Sequence, residues 1–296
     1  MQAELPVRTL GRTGLEVTQL GFGTVELGDL DRGLSDEQAG RMFNAVLDAG
    51  INFIDTAPDY GVAEERIGAY ISQRRDAFYL ATKCGCNIGP DGGRQEPGHV
   101  WTADRLRRNI DQSLQRMKTD HVDLLQMHNP SVEEVEQGGL VEVLQEIRQA
   151  GKTRFIGVSS TAPHLLPYVR MGVFDTFQIP YSALERRHER MLQEAADAGT
   201  GVIVRGGIAQ GHHGSGERWA KWDQARLDGL LDGMSRFEFV LRFTLAHPAC
   251  HTTIVGTGNP DHLQANVVAA KAGPLPPDVY EQAKERLDQI GEEPEE

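Results

Sequence analysis

The sequence predicts a single α/β domain, a (β/α)8 TIM-type barrel with an N-terminal β-hairpin and long loops at the C-terminal face. Three observations predict it. Eight short apolar runs alternate with eight longer amphipathic ones, the outline of strand-then-helix repeated around a closed parallel sheet. Glycine stands where helices should stop, in Asp48-Ala49-Gly50, Gln149-Ala150-Gly151 and Asp197-Ala198-Gly199, each just ahead of an apolar run. Glycine takes the left-handed conformation past a helix end without strain. The chain has 296 residues and no linker that would divide it, which suits one barrel.

In chain order, residues 5–16 hold two short runs around Gly11-Arg12-Thr13-Gly14. They read as a hairpin able to plug the barrel floor. Strands are expected near 18–23, 52–55, 78–83, 122–128, 154–159, 175–179, 201–205 and 252–255. They read as apolar runs because parallel strands are covered on both faces. Helices are expected near 36–49, 63–73, 102–117, 139–150, 162–171, 186–198, 235–246 and 260–271. Pro163 suits a first helical turn, where its missing N–H costs nothing. Asn259 reads as an N-cap and Pro260 as the first helical residue after it. Segments 26–35, 87–99 and 206–223 are too long for ordinary connectors. Each follows a strand, so all three should crown one mouth as lids and binding walls. The last carries Gly206, Gly207, Gly211, Gly214, Gly216, Trp219 and Trp222. The acidic tail 291–296 reads as disordered, and residues 1–296 as one domain.

The formal net charge of −13 argues against nucleic acid or an anionic membrane as the main partner. No apolar run approaches the roughly 20 residues of a membrane span. The N-terminus lacks the basic start and apolar core of a signal peptide. Three cysteines, an odd number, do not form a disulfide framework. Cys84 and Cys86 are too few for a metal site, Cys250 is distant, and His212-His213 lacks ligand spacing. The expectations are reduced thiols, a cytoplasmic location, no metal and no obligate protein partner.

Chemistry concentrates at strand ends. Asn52-Phe53-Ile54-Asp55 closes on a carboxylate, and Tyr60 follows five residues later. The next two runs end in Lys83 and His128. In a closed parallel barrel these ends converge on one mouth. A tyrosine with a pKa of about 10 exchanges protons poorly near neutrality, and a nearby ammonium lowers it. Lys83 is the candidate for that charge, Asp55 for its partner, and His128 for a donor to a bound carbonyl oxygen. Such a group suits carbonyl reduction, where hydride reaches carbon as a proton reaches oxygen. Each residue alone has a bland role as cap, ion-pair partner or packing; the joint order on three consecutive strands favours a site.

Over nearly its whole length the chain resembles an aldo-keto reductase. The resemblance rests on Arg8-Thr9-Leu10-Gly11-Arg12-Thr13-Gly14-Leu15, Leu20-Gly21-Phe22-Gly23-Thr24 and Asn52 to Gly61. Ala81-Thr82-Lys83, Leu125-Gln126-Met127-His128, Gly157-Val158-Ser159-Ser160, Phe177-Gln178-Ile179-Pro180-Tyr181-Ser182 and Ile254-Val255-Gly256-Thr257 extend it in order. It implies an NAD(P)H-dependent carbonyl reductase with Asp55, Tyr60, Lys83 and His128 as the catalytic tetrad and Tyr60 as general acid. Ser159, Ser160 and Gln178 would bond the nicotinamide amide, and Asn266 would lie by the adenine. Gly23, Thr24, Asp55, Arg205, Gly206, Gly256, Thr257, Gly258 and His262 complete the cofactor set that it implies. NADPH is the expected cofactor on family grounds, although Gly256-Thr257-Gly258-Asn259 lacks the Lys or Arg that often holds the 2′-phosphate, and His262 stands where Arg is frequent. Ser159-Ser160 replaces the usual serine-asparagine pair, and Arg205 replaces an aromatic ring. Substrate candidates are Glu26, Leu27, Tyr60, Trp101, His128, Asn129, Trp219 and Trp222, for a small aldehyde, ketone or sugar-like carbonyl or alcohol.

Other readings differ in chemistry. A Schiff-base aldolase would need Lys83 free of a carboxylate partner. A redox-sensing subunit would hold cofactor with little turnover. A dehydrogenase would run the same chemistry toward alcohol oxidation.

Overall fold

The computed structural model describes residues 4–89, 93–209 and 217–295. Its strands are β1 (Val7–Thr9), β2 (Glu16–Thr18), β3 (Leu20–Gly23), β4 (Phe53–Asp55), β5 (Tyr79–Cys84), β6 (Cys86–Ile88), β7 (Arg94–His99), β8 (Val122–His128), β9 (Thr153–Ser159), β10 (Thr176–Pro180), β11 (Gly201–Arg205) and β12 (Thr252–Ile254). Eight of them close a parallel barrel in the order β3-β4-β5-β8-β9-β10-β11-β12. All eight expected barrel strands are therefore present.

The helices are α1 (Val25–Gly28), α2 (Asp36–Asp48), α3 (Ala63–Tyr70), α4 (Ala103–Met117), α5 (Val132–Gln137), α6 (Leu140–Gln149), α7 (Leu165–Met171), α8 (Glu189–Asp197), α9 (Glu217–Gln224), α10 (Arg236–Ala246), α11 (Pro260–Lys271) and α12 (Pro277–Asp288). No helix among the described residues is long and apolar enough to cross a membrane.

Strand parity positions the site. Side chains alternate across a strand. Phe53, Ala81, Leu124 and Ile203 face into the barrel and pack on Leu10, Leu15 and Val17 of the N-terminal hairpin. The hairpin is held at the floor by Arg12, whose N–H bonds Gly199 O and whose Nη2 donates to Phe174 O. Two residues further along the same strand faces come Asp55, Lys83 and Gln126. The alternate residues Ile54, Leu80, Leu125, Val158 and Val204 face outward into the large core with Phe43, Ile110, Leu144 and Leu192 of the helices. The apolar floor and the polar mouth thus follow from one alternation.

Several segments differ from the sequence reading. Within the expected loop 87–99, β6 and β7 form an antiparallel pair, with Cys86 opposite His99. The segment is a hairpin because its backbone groups pair with one another instead of with water. Pro163 lies in the turn before α7, which starts at Leu165. Helices α1, α5, α9 and α12 are additional. In α9, Trp219 and Trp222 are buried against Phe237 and Phe239, so their apolar area closes the core and does not face a ligand. Residues 210–216, with Gly211, His212, His213, Gly214 and Gly216, lie outside the described residues. At the C-terminus, Glu292 pairs with Lys221 at 2.6 Å and Glu295 with Arg187 at 2.7 Å.

Candidate active site

Lys83 is fully buried, and its Nζ lies 2.6 Å from Asp55 Oδ2. The ammonium also donates to Thr56 O at 2.9 Å. The other carboxylate oxygen, Asp55 Oδ1, accepts from Gln178 Nε2 at 2.8 Å and Gln126 Nε2 at 3.0 Å. Every oxygen of the buried carboxylate is therefore bonded, the condition under which a buried ion pair is tolerated. Burial works against the Lys83 ammonium, but Asp55 and Tyr60 outweigh it and keep the group charged.

Tyr60 comes from the turn after β4. The ring centre is 4.6 Å from Lys83 Nζ and 6.0 Å from the perpendicular His128 ring. Burial pushes the phenol above the ordinary tyrosine value, and Lys83 acts against that rise. The lysine thus works in the expected direction, but desolvation outweighs it and the phenol stays protonated. A protonated phenol is the form that can donate.

His128 has a neighbour that sequence reasoning did not assign. Asp59 Oδ1 lies 3.5 Å from His128 Nδ1, and Cys86 Sγ lies 3.5 Å from the same nitrogen. Burial lowers the His128 pKa below the ordinary histidine value, with Asp59 acting against the fall. Burial works to raise the Asp59 pKa, but the hydrogen bond to His128 and the nearby charges bring it down to about 2. A neutral imidazole facing the mouth can donate one hydrogen bond to a carbonyl oxygen.

The expected cofactor residues fall around the same rim. Ser159 and Ser160 end β9 and begin the next loop, and both are buried with Gln178. Gln178 Nε2 is used by Asp55, so its Oε1 is the acceptor that would meet an amide N–H. Arg205 ends β11 and Gly206 follows in the left-handed region at φ 73°. Thr24 Oγ1 donates to Thr56 Oγ1 at 2.8 Å and joins the first two barrel strand ends. Gly256 lies beside Gly23, whose carbonyl oxygen would be 2.5 Å from an added Cβ. Asn259 caps α11 by accepting from Asp261 N–H at 2.9 Å, and Pro260 begins the helix. The N–H groups of Gly258, Asn259 and Asp261 bond Glu26, Thr257 and Asn259, respectively, and Pro260 has none, so a phosphate at this helix start would have to displace one of these bonds. Thr257 is buried, Asn266 half-buried and His262 exposed.

The substrate candidates separate. Glu26 turns toward the eighth-strand turn, where its Oε2 accepts from Gly258 N–H at 2.9 Å. Leu27 is fully buried in the core. Trp101 stacks on His99 at 5.8 Å and lies across Gly85, where an added Cβ would come within 2.2 Å of the indole. Asn129 directly follows β8 with φ 60°, and its N–H bonds Ser159 O. Sequence reasoning missed the roles of Gln126, Asp59, Cys86 and His99. Parity could have found Gln126, two residues before His128 on one strand face.

Backbone packing sets the position of Tyr60. A Cβ at Gly28 would lie 1.7 Å from the Tyr60 carbonyl oxygen, and Val62 N–H bonds Gly28 O at 3.1 Å. Gly28→Ala must push the Tyr60 turn outward. The expected result is a stability loss of about 1–3 kcal/mol, the usual cost of overpacking, together with reduced turnover. Urea melts and steady-state rates check it; unchanged values in both would show that the turn yields freely.

The Aldo/keto reductase family model matches residues 19–217. An aldo-keto reductase of Bacillus halodurans in its holo form superposes with a TM-score of 0.85 at 28% identity, covering 96% of each chain. L-galactose dehydrogenase of Arabidopsis thaliana is 27% identical over 90% of this chain and 88% of its own length. The NADH-specific methylglyoxal reductase of Escherichia coli is 32% identical over 69% of this chain and 65% of its own length.

Proposed function

Because the chain belongs to the aldo/keto reductase family and is an NAD(P)H-dependent oxidoreductase that reduces a carbonyl compound to an alcohol, we propose that Tyr60 is the proton donor of that reaction. One observation carries the assignment. Lys83, bonded to Asp55 at 2.6 Å, stands 4.6 Å from the Tyr60 ring, with His128 across that ring. A reduced nicotinamide held at this rim would be the source of the hydride for the carbonyl carbon. Tyr60 gives its phenolic proton to the oxygen, and Lys83 stabilises the phenolate that results. Asp55 fixes Lys83, and His128 orients the carbonyl oxygen.

The rim residues fit such a cofactor. Ser159, Ser160 and Gln178 offer the hydroxyls and carbonyl that a carboxamide needs. A phosphate at the 256–259 turn would compete with Glu26 for the Gly258 N–H. Gly23, Thr24, Arg205, Gly206, His262 and Asn266 complete the lining. The substrate is a small aldehyde, ketone or aldose; the sugar dehydrogenase among the relatives supports the last. Trp101, Asn129 and His128 are its contacts. Three buried free thiols support a reducing, cytoplasmic setting.

The test is loss of reduced nicotinamide with a panel of aldehydes, ketones and aldoses, with product alcohol measured alongside. Stoichiometric alcohol supports the reading. Tight cofactor binding with no turnover on any carbonyl would replace it with a redox-sensing role.

NADPH is the cofactor carried by the family resemblance. A second reading, NADH, is favoured by the bond from Gly258 N–H to Glu26 Oε2. A carboxylate there repels a 2′-phosphate and can accept a ribose 2′-hydroxyl. The NADH-specific relative points the same way. Paired fluorescence titrations of the wild type and Glu26→Gln separate the two. NADH binding at least ~10-fold tighter, equivalent to about 1.4 kcal/mol, with the gap narrowing in the variant, establishes the second reading. Tighter NADPH binding retains the first.

A further inference from the structure

Behind His128, four donor atoms from separate segments converge. Asp59 precedes Tyr60, Cys86 opens β6, and His99 and His128 close β7 and β8. His128 Nδ1 is 3.5 Å from both Asp59 Oδ1 and Cys86 Sγ. His99 Nε2 is 3.7 Å from Asp59 Oδ2. One donor atom from each of the four residues lies within 4.8 Å of the others. Asp59 is 3% exposed, His128 12% and His99 24%, so the group is enclosed but open to solvent on the His99 side.

Among the buried atoms here, His99 Nε2 has no hydrogen-bond partner. Buried polar atoms are nearly always paired, and a bound water or ion is the usual partner of an exception. The spacing says which kind. Zinc binds N and O at about 2.0 Å and S at about 2.3 Å in a tetrahedron, which sets N and O about 3.3 Å apart and S and N about 3.6 Å apart. The Asp59–His128 and Cys86–His128 separations of 3.5 Å and the His99–Asp59 separation of 3.7 Å are close to these, and the four atoms, all within 4.8 Å, need only draw in slightly around an ion. Two imidazoles, a thiolate and a carboxylate are ligands that zinc takes. The two anions would also balance its charge.

We propose that Asp59, Cys86, His99 and His128 form a binding site for a tetrahedral divalent transition ion, zinc in particular, held on Nδ1 of His128. Binding forms the metal–sulfur bond and releases the Cys86 thiol proton to solvent. With Nδ1 occupied, the His128 proton resides on Nε2, the tautomer that donates to a carbonyl oxygen. That consequence rests on the proposed reductase chemistry; the site itself does not.

The test uses the whole protein, stripped with a chelator, desalted and titrated with Co²⁺. The expected result is one equivalent bound, with visible bands of a tetrahedral ion and a near-ultraviolet thiolate-to-cobalt band, both bleached by Zn²⁺. Cys86→Ser should remove the thiolate band. His99→Ala should weaken binding at least ~10-fold, while Cys250→Ala leaves it unchanged. No saturable binding, or binding that Cys86→Ser and His99→Ala do not alter, overturns the proposal. The readout is independent of turnover, so a failed reductase assay would leave this result standing.

Discussion

Tyr60→Phe is expected to lower carbonyl reduction at least ~100-fold, the scale of a lost general acid, while the affinity for the nicotinamide cofactor barely changes. The substitution removes one oxygen and keeps the ring. The phenyl group still rests beside Lys83 and across from His128, so the Asp55–Lys83 pair keeps its enclosure. The loss should appear in kcat, because the proton transfer belongs to the transition state and not to cofactor binding. Steady-state kinetics with parallel fluorescence titration measure both quantities. A variant retaining full turnover would remove Tyr60 as the donor and send the search to His128 or a bound water.

The buried ion pair carries the second large effect. Asp55 is 1% exposed and Lys83 fully buried. Removing one partner of such a pair leaves the other uncompensated, at a cost of about 3–5 kcal/mol. Asp55→Asn should be the worse of the two single changes. Its amide nitrogen must face donors on either side, since Lys83 Nζ approaches one oxygen position and Gln126 and Gln178 approach the other. Lys83→Met leaves the carboxylate with two amide donors. The double variant should cost clearly less than the sum, because no charge then remains buried. Urea melts of the four proteins close the cycle. Additive costs would show that the pair is not coupled. Turnover should fall in all three variants, since the Tyr60 ring loses its cation or that cation loses its anchor.

Much of this was legible in order and spacing. The eight strand segments follow from apolar runs bounded by glycine and polar residues, because a parallel strand covered on both faces tolerates little else. Asp55, Lys83 and His128 were legible as strand-end residues. A closed barrel brings those ends to one mouth whatever the helices outside look like. Asn259 and Pro260 announced the start of α11 through local capping chemistry alone.

What sequence reading could not decide involved contacts between distant segments. Trp219 and Trp222 looked equally suited to a binding wall or a core, and burial on Phe237 and Phe239 decided for the core. Glu26 looked like a substrate contact, but its carboxylate is bonded to Gly258, 232 residues away. Cys86 stands in the sequence without a histidine or carboxylate that it could meet by local spacing. The β6–β7 hairpin carries His99 back beside it, and the turn after β4 supplies Asp59. Periodicity and capping act within a few residues and can be read along the chain. The partners of a side chain at the mouth come from loops whose paths depend on packing and close backbone approach, and only the tertiary structure decides those.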